Sequence, residues 1–262
     1  MDLGLKGKRA MIAAASRGLG QAAASALAAE GADIAICSRS MKIFDTAREI
    51  QPKVEGRVFA YQADITKTAE INGFTTQATK DMGGIDILII NAGGPPPGGF
   101  LGLSPQDWQA AIDLTLLSAI HLCYAVVPKM LEQCGGSIVA AQSYSIKQPI
   151  DNLILSNTLR LGVIGLMKSL ANELGPKGIR VNTINPARIW TERVAQLMQD
   201  RVERSGTSIE EQSARIAVEV PLGRMGTVDE FGRTIAWLAS PAASFIHGHA
   251  LMFDGGAVRT PL

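Results

Sequence analysis

No surplus of either charge marks this chain: 25 lysines and arginines stand against 24 aspartates and glutamates in 262 residues. That balance leaves no electrostatic footprint for nucleic acid or an anionic membrane surface, so neither is expected as a partner. Long apolar runs are missing too. Nothing in the sequence approaches the roughly 18 uninterrupted apolar residues of a membrane span. Met1 to Arg9 lacks the apolar centre of a signal peptide, and a soluble, cytoplasmic protein is expected. Cysteine is scarce. Cys37, Cys123 and Cys134 are odd in number and lack metal-ligand spacing, which argues against a disulfide framework and fits a reducing compartment. Histidine is scarce as well: His121 lies in an apolar helical stretch and reads as a structural or interface residue. His247 and His249 flank Gly248 with no acid or cysteine cluster beside them, so no metal is expected. Only three tyrosines occur, Tyr61, Tyr124 and Tyr144, and four residues after them stand Ile65, Pro128 and Gln148; no Tyr-x-x-x-Lys exists anywhere in the chain.

What the chain does have is apolar residues, 47% of the total, arranged as strand-length runs alternating with longer helical patterns. Ala10 to Ala14, the alanine-rich stretch Gln21 to Glu30, and Ile34 to Cys37 read as a βαβ unit. Further strands are predicted at 57–61, 86–90, 137–141, 179–184 and 250–253, and helices near 41–50, 66–81, 105–132, 152–174 and 227–239. Nearly continuous apolar strands require burial on both faces, which a parallel sheet covered by helices on each side provides. The expectation is a single α/β domain over residues 1–262, a doubly wound Rossmann-type sheet. Residues 188–227 form the longest stretch without a strand signal, with helical patterns around 191–203 and 208–219. A cover over a substrate site or a surface helical hairpin are the two readings.

Ala13-Ala14-Ala15-Ser16-Arg17-Gly18-Leu19-Gly20 follows the first strand and opens a helix. Small residues there let the backbone approach a phosphate at a helix N-terminus, where unpaired amides and the helix dipole favour negative charge. The segment resembles the Thr-Gly-x-x-x-Gly-x-Gly turn of the short-chain dehydrogenases/reductases, with Ala13 and Ala14 in place of its threonine and first glycine. An alanine at that glycine position calls for a backbone without positive φ. Asp64-Ile65 after the third strand, Asn91-Ala92-Gly93 after the fourth, and Pro186 with Ile189 and Thr191 after the sixth match, in order, the family's adenine, cofactor-side and nicotinamide segments. The resemblance spans nearly the whole chain and implies about seven strands, a nicotinamide cofactor, a small-molecule substrate and a homodimer or homotetramer. Ser38 and Arg39 end the second strand where an acid would otherwise hold a ribose 2′-hydroxyl. With Arg17 in the phosphate turn, Arg39 predicts NADP(H) through a two-guanidinium clamp on a 2′-phosphate.

The chemical end departs from the family. Ser143 ends the run Gly136 to Ala141 where the family's active-site serine stands, and the family's spacing from serine to tyrosine and lysine lands on Ser156 and Arg160. Thr115 aligns with a proton-relay asparagine. A serine hydroxyl is a far weaker acid than a phenol near pKa 10, and arginine stays protonated. Lys147 and Tyr144 are therefore the candidate substitutes, Lys147 on condition that burial tunes it towards neutrality. The proton could equally come from water or from the substrate. The Pro95-Pro96-Pro97-Gly98-Gly99-Phe100 loop is expected to shape a pocket wall. The resemblance implies an NADP(H)-dependent oxidoreductase interconverting a carbonyl and an alcohol, or reducing a conjugated substrate, with a non-standard active site. Two other readings stand beside it: a cofactor-binding protein without catalysis, and a non-redox lyase similar to halohydrin dehalogenases, which also carry arginine at the lysine position.

Overall fold

The computed structural model describes residues 2–192, 194, 195, 198, 199 and 208–260. Its strands are β1 (Arg9–Ile12), β2 (Asp33–Ser38), β3 (Val58–Gln62), β4 (Ile87–Ile90), β5 (Gly136–Ala141), β6 (Ile179–Pro186), β7 (Ile189–Trp190), β8 (Gly226–Thr227) and β9 (Ala250–Phe253). Seven of them form one parallel sheet in the order β3-β2-β1-β4-β5-β6-β9. Alternation along each strand divides the core into two. Met11, Ala35, Cys37, Leu88, Ile90, Ile138 and Val181 face one side, and Ala10, Ile12, Ile34, Ile36, Ile89, Val139 and Ile184 the other. The apolar strands are continuous because both faces are covered, as a doubly wound sheet demands.

The first side carries α3 (Thr68–Met82), α5 (Ser118–Glu132) and α6 (Ile154–Leu174), through residues such as Phe74, Val126 and Val163. The second carries α1 (Gly18–Ala29) and α2 (Lys42–Ile50), packed through Leu27 and Ile43, and α8 (Val228–Ala239), packed through Phe231 and Ile235. Helix starts follow local chemistry. Ser104 with Asp107 opens α4 (Pro105–Ile112), Ser208 with Glu211 opens α7 (Ile209–Val218), and Thr227 with Glu230 opens α8, each pair a reciprocal capping box. A π turn at Asp113–Leu117 joins α4 to α5. The continuous helical stretch Pro105–Glu132, predicted over those same residues, is long and apolar enough in composition to cross a membrane. In the fold it is a core element, seating Ala119, Leu122, Val126 and Met130 against the sheet.

The predicted strands and helices are found with ends shifted by a few residues. Between 188 and 227, where no strand is expected, β7 and β8 pair as a two-residue parallel ladder, Ile189 with Gly226 and Trp190 with Thr227. The helical pattern at 208–219 is present as α7; much of the pattern at 191–203 lies outside the described residues.

At the amino edge of the sheet Asp86 accepts from Arg9 Nε and Nη2, both at 2.8 Å, and from the Arg9 main-chain N–H at 2.9 Å. Burial alone would push the carboxyl up, but the Arg9 hydrogen bonds and charge outweigh it and hold the group below its ordinary 3.8. A folded value below the unfolded one gives stability that is complete above pH about 4 and is lost as pH falls through the folded value. Asp86→Asn is therefore expected to lower the melting temperature at pH 7. The gap to the unmodified protein should close as melts are repeated from pH 5 towards pH 3; a constant gap would remove the pair from the acid response.

Candidate active site

Chain order jumps between β1 and β4, neighbours in the sheet, and the carboxyl edge at such a switch point is where open parallel sheets take their ligands. Every loop carrying a candidate residue leaves that edge: 13–20 after β1, Arg39 after β2, Asp64-Ile65 after β3, Asn91–Gly93 after β4, Ser143 after β5, and Pro186, Ile189 and Thr191 at or beyond the end of β6. The turn at 13–20 is held from three sides. Asn91 Nδ2 donates to Ala14 O at 3.0 Å and Ala13 O at 3.4 Å, Ala15 N donates to Cys37 O at 2.9 Å, and Thr46 Oγ1 donates to Ser16 O at 3.0 Å. Leu19 tucks against the core beneath. Gly20 is packed so closely that a Cβ there would lie 2.4 Å from Ala14 O. Gly18 and Gly93, in contrast, have open space where a Cβ would stand.

One expectation at this turn fails. Ala14 has φ +50°, inside the left-handed region that the substitution of alanine for glycine was expected to avoid. The conformation is imposed by its neighbours: the Asn91 amide fixes its carbonyl, and the Ala14 methyl packs on the core. The cost of an L-residue there is about 1–2 kcal/mol.

Arg17 caps α1 through its main chain with no side-chain cap, which leaves the first-turn amides without a side-chain acceptor from that residue. Arg17 and Arg39 are both exposed and make no salt bridge among the described residues. Ser38 Oγ is turned inward, donating to Ser40 O at 2.8 Å. Asp64 accepts from the Thr66 N–H and Oγ1; burial pushes its carboxyl up, but those bonds and the charges of Arg39 and Lys67 bring it below its ordinary value. Ile65 is buried beside it. These features suit a dinucleotide: open glycines, uncapped helix amides and unpaired guanidiniums on one edge. Thr191 Oγ1 accepts from Val194 N at 3.2 Å, so this residue also starts the segment after β7.

At the chemical end, Ser143 is extended and its Oγ accepts from Ser145 N at 3.2 Å. Ser156 and Arg160 lie one turn apart on α6, 7% and 9% exposed, and Arg160 Nε donates to Ser156 Oγ at 3.0 Å. Arg160 Nη1 donates to Gln142 Oε1 at 3.4 Å, which brings the guanidinium to the carboxyl end of β5, at the residue that precedes Ser143 in the chain. Gln142 was not picked out by sequence reasoning; a polar residue ending an otherwise apolar strand was the available signal. No acid faces Arg160 within salt-bridge distance among the described residues, and burial pushes its pKa down to about 10. Thr115, in the π turn, is buried with its hydroxyl unpartnered.

The two substitute proton donors fare differently. Lys147 is exposed at the end of the short 3-10 turn Tyr144–Ile146, so the burial its role depends on is not there. Tyr144 is half-buried with the Arg188 guanidinium 5.7 Å from its ring centroid; burial raises its phenol pKa, partly offset by Arg188. Arg188 also pairs with Glu219, which ties the serine loop to residues beyond β7. The proline-rich loop is stitched to the start of α6 by Gly98 N to Asn152 O at 2.7 Å. Burial raises the thiols of Cys37 and Cys123 to about 12, which removes both as nucleophiles. A cavity of about 860 Å³ lies elsewhere, between α1, α2 and α8; it reaches Gly18 but none of Ser143, Ser156 or Arg160.

Residues 13–258 match the family model described as enoyl-(acyl carrier protein) reductase. L-sorbose reductase from Gluconobacter frateurii, solved with NADPH and L-sorbose, superposes with a TM-score of 0.96 at 29% identity, over 99% of this chain and all of that one. The 7alpha-hydroxysteroid dehydrogenase of Escherichia coli is 29% identical over 98% of this chain and 97% of its own length. A solved 7alpha-hydroxysteroid dehydrogenase, carrying NADH, gives a TM-score of 0.88. A short-chain oxidoreductase from Pseudomonas aeruginosa PAO1, described as containing an atypical catalytic center, gives 0.92 at 27% identity over 98% and 99% of the two chains. Relatives thus use either nicotinamide cofactor and act on small molecules. With a seven-stranded parallel sheet, a glycine turn at its switch point and a match over nearly its whole length, the chain belongs to the short-chain dehydrogenase/reductase family.

Proposed function

We propose that this protein is an NADP(H)-dependent oxidoreductase that interconverts a carbonyl and an alcohol, or reduces a conjugated substrate, with Ser156 and Arg160 standing where the family has tyrosine and lysine. The observation that carries the cofactor reading is the exposed, unpaired Arg39 at the end of β2, with Arg17 in the turn beside it. The 13–20 turn and the α1 amides would hold the pyrophosphate, Asp64 and Ile65 the adenine, and Asn91 to Gly93, Pro186, Ile189 and Thr191 the nicotinamide side. When bound, the nicotinamide supplies or accepts the hydride. Ser143 orients the substrate oxygen. Arg160 holds ribose hydroxyls without titrating, Ser156 orients the guanidinium through Nε, and the proton comes from solvent or from the substrate. The segment 188–227, part of which lies outside the described residues, is read as the substrate cover, with Arg188 at its start over the Tyr144 ring of the serine loop. The exposed apolar side chains Tyr124, Leu131 and Leu161 on α5 and α6 support a homodimer or homotetramer, which light scattering after size exclusion would measure.

NADPH and NADH titrations by nicotinamide fluorescence, followed by a carbonyl screen read as loss of nicotinamide absorbance, test the proposal. Arg39→Ser is expected to weaken NADPH binding roughly 10- to 100-fold, the worth of one charge-assisted bond to phosphate, and to leave NADH binding nearly unchanged. Tighter NADH binding by the unmodified protein would overturn the cofactor assignment. A second reading, cofactor binding without turnover, is favoured by the exposure of Lys147 and the unpartnered Thr115 hydroxyl. NADPH binding with no turnover across the screen is its signature. The lyase reading is weakened by the well-formed nucleotide turn; halide release without NADPH binding would restore it.

A further inference from the structure

We infer that Arg160, Ser156 and Gln142 form an anion-binding corner that takes the carboxylate of a short oxo- or hydroxy-acid, placing the adjacent reacting carbon at Ser143. The inference rests on the reading of Ser143 above. Its starting point is an uncompensated charge. Arg160 is more than nine-tenths buried, and its named partners, Ser156 Oγ at 3.0 Å and Gln142 Oε1 at 3.4 Å, are neutral. A buried guanidinium without a counter-anion is costly to keep, and a ligand supplying one negative charge removes that cost. Arginine has five N–H donors; those two contacts use two, and three remain, enough for ribose hydroxyls and an anion together.

Two turns packed on α6 carry further donors. The π turn at 113–117 and the 3-10 turn at Tyr144–Ile146 both pack against α6. Each contributes a buried hydroxyl with no hydrogen-bond partner among the described residues, Thr115 Oγ1 and Ser145 Oγ. Charge balance selects the class of ligand. A monoanion neutralises Arg160, whereas a phosphate dianion would leave a buried negative charge. A carboxylate also offers two oxygens, one for the guanidinium and one for a hydroxyl, where a halide offers a single centre. Gln142 and Ser143 are consecutive at the carboxyl end of β5, and the inference directs the carbonyl or alcohol carbon of an Arg160-bound carboxylate towards Ser143.

Isothermal titration of the full chain with oxamate, an unreactive monoanion carrying a carboxylate beside a carbonyl, tests this directly. Oxamate should bind saturably at one site per chain, at least tenfold more weakly in Arg160→Gln, with partial recovery in Arg160→Lys and no change in Lys177→Gln, an exposed cation remote from the corner. Circular dichroism melts of each variant establish that it is folded. Absence of saturable binding, or equal binding by folded Arg160→Gln, would overturn the inference; chloride competing as tightly as oxamate would overturn the carboxylate assignment. NADPH fluorescence on the unmodified protein separates the two levels: NADPH binding without oxamate binding defeats this inference alone, and binding of neither defeats the cofactor reading as well.

Discussion

Gly20→Ala is expected to destabilise the protein by about 1–3 kcal/mol, the usual cost of forcing a methyl into a filled site, and to weaken NADPH binding by well over tenfold. The added Cβ would lie 2.4 Å from Ala14 O, 2.7 Å from Asn91 Nδ2 and 2.9 Å from Ala15 Cα. None of these can retreat cheaply. Two belong to the main chain of the turn, and the third is the amide that holds the Ala13 and Ala14 carbonyls. Relief therefore requires the turn to move off Asn91, which changes the direction of the α1 amides and the position of Gly18, the features that suit an anionic ligand. Gly73→Ala, in the middle of α3 with open space around it, is the control. It should stabilise the helix by about 0.5–1 kcal/mol and leave NADPH binding unchanged. Thermal melts and NADPH titrations on both variants decide the matter; a Gly20→Ala protein that binds NADPH normally would show that the close packing under Gly20 is not what shapes the site.

The contrast between Gly20 and Ala14 shows what the sequence could and could not reveal. Strand and helix positions were legible because burial on both sheet faces leaves continuous apolar runs between longer helical patterns. The cofactor edge was legible because each of its loops directly follows a strand. The positive φ of Ala14 was not, since a tertiary contact, the Asn91 amide from 77 residues away, sets it against the residue's own preference. The β7 and β8 pair was hidden for a similar reason: two residues cannot carry a periodicity. Lys147 and Gln142 show the limit at the chemical end. Sequence spacing places both near Ser143, but only coordinates reveal that Lys147 is in solvent while Gln142 is buried against Arg160.

A similar difference separates buried Arg160 from half-buried Arg180, and replacing each with methionine is expected to give opposite results. Arg180, on β6, donates to the carbonyls of Leu238, Ala239, Ser240, Ala243 and Ile246 and to Ser137 Oγ, at 3.0–3.1 Å. Burial lowers its pKa, yet five carbonyl dipoles converge on its charge, gathering the last carbonyls of α8 and the turn that follows. Arg180→Met strands those carbonyls beside a side chain that cannot donate. At roughly 1 kcal/mol or more for each one that water fails to reach, the loss should be about 3–5 kcal/mol. For a domain of this size that is a fall of about 6–20 °C in melting temperature. Arg160 has two neutral acceptors and no carboxylate, so Arg160→Met removes a desolvated charge at the expense of two hydrogen bonds. Its melting temperature should stay within about 4 °C of the unmodified protein, or rise, as when buried ions give way to apolar groups. Turnover, in contrast, should fall at least a hundredfold in Arg160→Met, because the ribose and the substrate anion lose the same guanidinium, while Arg180→Met assayed well below its melting point should retain most of its activity. An Arg160→Met protein as destabilised as Arg180→Met would mean that the α6 guanidinium is structural, and that the chemistry at Ser143 proceeds without it.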